Sequence, residues 1–201
     1  MKNALIVDDH PSVRLALRYT LEKQGLDRID ECDNGVEAIS LIKKNGYHIV
    51  ILDIGIPAMD GMSVISAVRK AENNTRILVF TSQAQDVYIS RCMEAGASGF
   101  VSKNDDMDNV VIAIKAVISG YNFFPHIPVG TKDTESRFSR LTNRELDVLR
   151  KLASGMTNNE IAANMCLSNK TISTYKTRVM GKLGVSTLVD LITIAQKEHL
   201  P

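Results

Sequence analysis

The sequence predicts an α/β unit built on a doubly wound, five-stranded parallel sheet, followed by a small all-α unit of four helices. Three observations carry that expectation. Short apolar runs alternate five times with helix-period patterns over residues 4–119. The central run, His48 to Leu52, is apolar at successive positions, as in a strand covered by helices on both faces. Beyond a connector containing proline and glycine, the remaining patterns are helical.

ALIV at residues 4–7 is the first strand, and a helix pattern from Ser12 to Gln24 follows. Ile29 to Cys32 is the second strand, before a helix from Gly35 to Lys44. The third, His48 to Leu52, is closed by Asp53; Gly55, Pro57 and the Asp60-Gly61 pair then stop the strand and turn the chain toward a helix at Met62 to Lys70. RILVFT at 76–81 and GFV at 99–101 complete the sheet, with helices at Asp86 to Glu94 and Met107 to Ser119. Parallel strands joined through helices take right-handed crossovers.

At 201 residues the chain suits two small domains, each able to bury a core. Residues 1–120 hold 13 Lys/Arg against 16 Asp/Glu and residues 139–201 hold 9 against 5, so net charge is −3 in front and +4 behind. The positive excess favours an anionic partner for the second part. No opening segment has signal-peptide character and no run of about 18 apolar residues could span a bilayer. A cytoplasmic protein without membrane contact is expected. Cys32, Cys92 and Cys166 are odd in number and lack CxxC or Cys/His ligand spacing, which points to buried or idle thiols.

Asp8 and Asp9 close the first strand, Asp53 the third and Thr81 the fourth, and Lys103 follows the fifth. All lie at carboxyl ends, the edge where open parallel sheets bind ligands. With strand order 2-1-3-4-5 the switch point falls between strands 1 and 3, which brings Asp8 and Asp9 beside Asp53. Three neighbouring acids resist simultaneous ionisation unless a cation joins them, and a few hard oxygen ligands open to water suit Mg²⁺. Phosphoryl transfer to Asp53 is the reaction class such a site supports, with Lys103 pairing with one phosphoryl oxygen and the Thr81 hydroxyl donating to another. Each residue also has a plain reading: Asp53 as a turn cap, Lys103 as a surface lysine, Thr81 as a strand-end residue bonded to backbone. Their coincidence at matched strand ends favours a common site.

Residues 1 to about 120 resemble the receiver domain of two-component response regulators, through VDDHPS at 7–12, LDIGIPAMDG at 52–61, VFTSQ at 79–83 and AGASGFVSK at 95–103. The resemblance implies a flavodoxin-like fold with Asp53 as phospho-acceptor. It further implies that Asp9, Asp53 and the Gly55 carbonyl hold Mg²⁺, with Asp8 acting mostly through water. Thr81 would follow the phosphate, Phe100 would move with it, and Lys103 would pair with it. Asn104 stands where many receivers have proline, so their cis-proline turn is not expected. Phe100 lacks a tyrosine hydroxyl, which eases burial of an inward-turned ring.

Residues 121–138 have linker composition, with Pro125, Pro128 and Gly130 before the polar run TKDTES at 131–136. The rings of Tyr121, Phe123 and Phe124 are expected to pack on the last helix of the first domain. In the second domain, residues 139–201, LTNRELDVLRKLASG at 141–155 opens with the capping-box spacing of Thr142 and Glu145, and Leu146, Leu149 and Leu152 form a buried stripe ended by Gly155. A second helix, Asn158 to Met165, turns Ile161 and Ala162 inward. KTISTYKTRVMGKL at 170–183 puts Ile172, Val179 and Leu183 on one side. Asn169, Lys170, Ser173, Thr174, Lys176, Thr177 and Arg178 make up the other. Short hydroxyls can lie close to base edges and cations can reach phosphates, so this pair of helices reads as a helix-turn-helix for double-stranded DNA. A merely solvated face is the other reading of the cations. The last helix, Ser186 to Glu198 with Ser186 as cap, carries Leu188, Leu191, Ile192 and Ala195, for core packing or for pairing two copies.

LTNRELDVL at 141–149 and NNEIAANMCLSNKTISTYKTRVMGKLGV at 158–185 are similar to the LuxR-type DNA-binding domain that ends NarL/FixJ-type regulators. Ser173 stands where that pattern has Lys and Tyr175 where it has His, so base preference should differ. With the GYNFFP connector, NKTISTYKTR resembles the Bvg/Evg-type virulence regulators. The resemblance implies phosphate received from a sensor histidine kinase, through a hybrid relay or phosphotransfer domain. It also implies a homodimer and RNA polymerase as a further partner. A phospho-acceptor without substrate turnover is therefore expected. A phosphatase using Asp53 as nucleophile would need a second acid two residues on, where Gly55 stands; an interaction adaptor would use the back half to bind a protein instead of DNA.

Overall fold

The structure, a computed structural model, describes residues 2–83, 85–125, 137–197 and 200. Pro128, Gly130 and the TKDTES run lie outside them, as does the Glu198 end expected for the last helix. The chain forms two compact units.

In the first, β1 (Asn3–Val7), α1 (Pro11–Lys23), β2 (Arg28–Cys32), α2 (Gly35–Lys44), β3 (Ile49–Leu52), α3 (Gly61–Lys70), β4 (Arg76–Thr81), α4 (Gln85–Glu94), β5 (Gly99–Ser102) and α5 (Met107–Ile118) follow one another. The sheet is parallel throughout, in the order β2-β1-β3-β4-β5 that the sequence predicts. β1 and β3 are its apolar centre, with Ala4–Val7 and Ile49–Leu52 wholly buried. Alternation divides their side chains between two faces. Ala4, Ile6, Ile49 and Ile51 join Leu17 and Leu21 of α1 and Val110, Ala113, Ile114 and Val117 of α5 in one core.

Capping explains where the helices begin. α1 starts at Pro11, since proline suits the first helical position. The Asp60-Gly61 pair is not a free turn: the Asp60 carboxylate accepts from Ser63 N–H at 2.9 Å and caps α3, so that helix starts at Gly61. Gly61 sits directly over the third strand's end. Its N–H donates to the Ile54 carbonyl at 3.1 Å, and a Cβ there would fall 2.4 Å from the Asp53 carbonyl oxygen. Glycine lets the helix start touch the backbone that carries Asp53.

The first unit runs past the boundary expected at residue 120. Phe123 forms a parallel bridge with Gly99, donating from its N–H to Ser98 O at 3.0 Å and accepting from Phe100 N–H at 2.8 Å. Its ring packs on the α1/α5 core, as expected, whereas Tyr121 is exposed, which corrects its expected packing. Cys32 and Cys92 are buried, and burial pushes each thiol up to about 12, while Cys166 is exposed.

In the second unit a 3₁₀ turn (Arg137–Arg140) precedes α6 (Asn143–Ala153), α7 (Asn158–Met165), α8 (Asn169–Leu183) and α9 (Leu188–Lys197). α6 packs on the other three, burying Leu146, Leu149 and Leu152 among Ile161, Ile172, Val179, Leu191 and Ala195. The cap of α9 is Thr187, not Ser186: its hydroxyl accepts from Asp190 N–H at 3.1 Å. Among the described residues no single helix is long and apolar enough to cross a membrane.

Replacement of Gly61 by alanine forces the α3 start off the Asp53 backbone. The Gly61→Ala protein is expected to lose about 1–3 kcal/mol of stability in urea unfolding, the usual range for overpacking.

Candidate functional site

Register places the acids. Val7 pairs with Leu52 across β1 and β3, so the next residues, Asp8 and Asp53, leave the sheet side by side. Asp53 N–H donates to Val7 O at 2.9 Å, which extends the ladder one residue and holds its side chain at the strand end. β5 pairs with β4 through Thr81 and Ser102, and Lys103 N–H donates to Thr81 O at 2.8 Å. The Ser102–Asp105 turn is held by side chains: Ser102 N–H donates to the Asp105 carboxylate at 3.2 Å and Asn104 N–H to Ser102 Oγ at 3.1 Å. No peptide bond is cis among the described residues.

From that turn the lysine reaches both acids. Lys103 Nζ lies 2.7 Å from Asp53 Oδ2 and 2.7 Å from Asp8 Oδ2. It donates a hydrogen bond to Asp53 and stands equally close to Asp8, so the two carboxylates share one ammonium group. Burial alone would lower the lysine's pKa, but the attraction of Asp53 and Asp8 outweighs it and raises the pKa above its ordinary value. Asp53 Oδ1 accepts from Gly55 N–H at 3.0 Å. Asp9 is exposed beside this pair. Phe100 and Thr81 are completely buried in their strands, and Phe100 sits in register with Val79.

The donor set fits a hard divalent cation. Ligand atoms of Asp8, Asp9, His10 and Asp53 lie within 4.8 Å of one another, with Asp8 and Asp53 buried and Asp9 and His10 exposed. Carboxylate oxygens, those of Asp9 open to water, are what Mg²⁺ accepts. His10 had no role in the sequence reading. It stands in VDDHPS directly after the acids, which was the available signal.

In the second unit, α8 presents Asn169, Lys170, Ser173, Thr174, Thr177 and Arg178 to solvent, with Lys176 half-buried, while Ile172 and Val179 are buried beneath and Leu183 is half-buried. Two of the hydroxyls bond back along the helix: Thr174 Oγ1 donates to Lys170 O and Thr177 Oγ1 to Ser173 O, each at 3.0 Å. Their oxygens keep lone pairs that point outward as acceptors. Asn158 of α7 donates to Ser173 Oγ at 3.3 Å, and Asn169 bonds Asn159, so the starts of α7 and α8 form one polar surface. Sequence reasoning missed a second capping box: Thr157 N–H donates to Glu160 at 2.7 Å and Glu160 N–H to Thr157 Oγ1 at 3.3 Å, the same Thr-x-x-Glu spacing as Thr142 and Glu145. The turn between α7 and α8 passes through Cys166 in the left-handed conformation, φ 54°.

α8 is also clamped from behind. Lys182 Nζ lies 2.6 Å from the Glu145 carboxylate, which is buried at the start of α6. Burial would raise that carboxyl's pKa, yet Lys182 and the Thr142 backbone hold it below the ordinary value. On α9 the expected pairing stripe is partly used up. Leu191 and Ala195 are completely buried within the unit and cannot form an outward face; Leu188 and Ile192 are half-buried, and Val189 is 72% exposed.

A parallel sheet of this order with acids and a lysine at its carboxyl edge, joined to a helix-turn-helix unit, defines a class, and the comparisons agree with it. The family model for the response regulator receiver domain matches residues 4–115, and that for bacterial regulatory proteins of the LuxR family matches residues 139–195. The chain belongs to the response regulators of the NarL/FixJ type, transcription factors with a receiver and a LuxR-type DNA-binding domain. The transcription regulator BvgA of Bordetella pertussis is 42% identical over 203 residues, covering 98% of this chain and 97% of that one. The DNA-binding transcriptional activator EvgA of Escherichia coli K12 is 37% identical over 202 residues, covering 98% and 99%. Among solved structures, RcsB from Salmonella enterica serovar Typhimurium bound to promoter rprA with phosphomimetic BeF3⁻ aligns with TM-score 0.68 at 26% identity, covering 98% of each chain.

Removing the amine leaves two buried carboxylates unopposed, so Lys103→Met should lower stability at neutral pH by about 2 kcal/mol or more. The raised pKa of Lys103 means its contribution is complete below the lysine's ordinary 10.5 and is lost as pH rises through the folded value. Urea midpoints of wild type and Lys103→Met should therefore converge only in strongly alkaline solution.

Proposed function

We propose that this chain is a phosphorylation-controlled transcription factor whose phospho-acceptor is Asp53. The observation that carries the reading is the Lys103 amine, 2.7 Å from both Asp53 and Asp8 at the carboxyl edge of the sheet. A sensor histidine kinase, acting through a hybrid relay or a phosphotransfer domain, supplies the phosphoryl group. One Asp53 carboxylate oxygen attacks phosphorus; the new P–O bond forms as the P–N bond of the phosphohistidine breaks, and the imidazole leaves with the electron pair. Asp8, Asp9 and Asp53, with the Gly55 carbonyl, would hold Mg²⁺, which when bound offsets charge on the entering phosphoryl oxygens and their acceptor. Lys103 exchanges a carboxylate for a phosphoryl oxygen, and the Gly55 N–H steadies the acceptor before attack.

Phosphate on Asp53 draws on Thr81 and the buried Phe100 and shifts a pre-existing equilibrium of the receiver, which spans residues 1–120 with the Phe123 bridge beyond. Dimerisation then presents two copies of α8 to two half-sites in the major groove, with residues 139–201 as the DNA-reading domain. Asn169, Ser173, Thr174 and Thr177 face base edges and Lys170, Lys176 and Arg178 reach phosphates. Val189, with Leu188 and Ile192 beside it, is the part of α9 left to pair two copies. A solved structure of two RcsB dimers bound to two parallel DNAs, 28% identical to this chain with TM-score 0.58, supports a paired arrangement. Such a protein works in the cytoplasm, beside its DNA and RNA polymerase.

Asp53→Asn should abolish Mg²⁺-dependent labelling by a radiolabelled phosphodonor, and a labelled variant would remove Asp53 as acceptor. Lys176→Ala and Arg178→Ala should each weaken duplex binding and reduce the slope of log affinity against log salt by about one. Slopes equal to wild type in a fluorescence titration would take these residues off the phosphates.

A further inference from the structure

Two helix starts meet in the second unit, and four polar side chains there form one directed chain of hydrogen bonds. Capping fixes both starts. Thr157 caps α7, so Asn158 and Asn159 are its first residues, and Ser168 Oγ accepts from Thr171 N–H at 3.1 Å, so Asn169 is the first residue of α8. Asn158 Nδ2 donates to Ser173 Oγ at 3.3 Å, Ser173 Oγ donates to Asn169 Oδ1 at 3.5 Å, and Asn169 Nδ2 donates to Asn159 Oδ1. The Asn169 amide is thus held on both sides. An amide carries two N–H groups and two oxygen lone pairs, so among the described residues one donor and one acceptor of Asn169 remain uncommitted. Asn169 is exposed, and the first residues of a recognition helix are those that meet base edges.

That remainder selects a base. In the major groove adenine offers N7 as acceptor beside the N6 amino donor, guanine two acceptors, cytosine a donor, and thymine an acceptor beside a methyl group. Only adenine answers one donor and one acceptor together. We propose that Asn169 reads an adenine in the major groove and that Asn158 and Asn159, on the other helix of the pair, position its amide for that contact. The inference rests on the reading of α8 as the DNA-facing helix and adds the base it prefers and the residues outside α8 that set the preference. A side chain already held in its binding geometry loses less freedom on contact. Asn159 fixes the amide nitrogen directly. Asn158 acts one step further back: by donating into Ser173 Oγ it leaves the hydroxyl proton to Asn169.

The test is selection from a randomised duplex library by the full-length protein, with Mg²⁺ and acetyl phosphate, followed by fluorescence titration of the selected duplex and of duplexes with single base pairs exchanged. Asn159 and Asn169 are exposed, so their variants keep the fold. Wild type should select an A·T pair at one position of each half-site. In Asn169→Ala the preference for that pair should fall about tenfold while the other selected positions keep theirs. Asn159→Ala and Asn158→Ala should each lower the same preference by about threefold. Asn159→Asp keeps the acceptor oxygen and should keep the preference, although its charge weakens binding to every duplex alike. A merely structural role would not produce that split. An Asn169→Ala protein that selects the wild-type sequence overturns the proposal, as does one that loses preference at a pair other than A·T or equally at all positions. Asn158→Ala and Asn159→Ala with unaltered A·T preference overturn the positioning role. Wild type that selects no sequence at all overturns the DNA-reading assignment of α8 as well.

Discussion

A single ammonium group set against two buried carboxylates governs the first unit. Parallel register brings Asp8 and Asp53 out of adjacent strands at the same level, and like charges so placed repel strongly where water is scarce. Lys103 removes that conflict by touching both, and their attraction overcomes the desolvation of its own charge. The arrangement is stable yet open to exchange. Asp8 and Asp53 share this one cationic partner, so any change of charge at Asp53 redistributes the contacts of Lys103 and Asp8.

The surroundings fix where that exchange takes place. Gly61 lets α3 begin against the Asp53 backbone, Asp60 caps the helix, and Ala58 in the intervening loop adopts φ 62°, a left-handed conformation that costs an alanine about 1 kcal/mol. On the other side, Ser102 and Asp105 lock the turn that delivers Lys103. Asp53 therefore stands on a tightly determined backbone. The second unit repeats the logic at another scale. Glu145 caps α6 and grips Lys182, so α8 is held from its buried side and its outer face is left to solvent and ligand.

Much of this was legible from the chain. The alternation of elements, the strand-end acids and the outward face of α8 follow from local periodicity and turn chemistry, the sheet order from the receiver resemblance, and the structure has them as expected. The misses are of two kinds. Some were readable signals passed over, such as the Thr157–Glu160 capping box and the Asp60 cap. Others depended on which of two apolar readings applied: Leu191 and Ala195 lie inside their own unit because α6 covers them, and Tyr121 is exposed while Phe123 joins the sheet.

By itself the sequence determined the kind and order of the elements and the list of chemically capable residues, because hydrophobic period, caps and breakers act over a few neighbours. Only the tertiary structure decided which of those residues meet. Lys103 and Asp53 are separated by 50 positions and Glu145 and Lys182 by 37. The His10 ring could equally have pointed away from the acids it follows. Contacts of this kind depend on strand register, helix packing and rotamer together, and none of these leaves a pattern in adjacent residues.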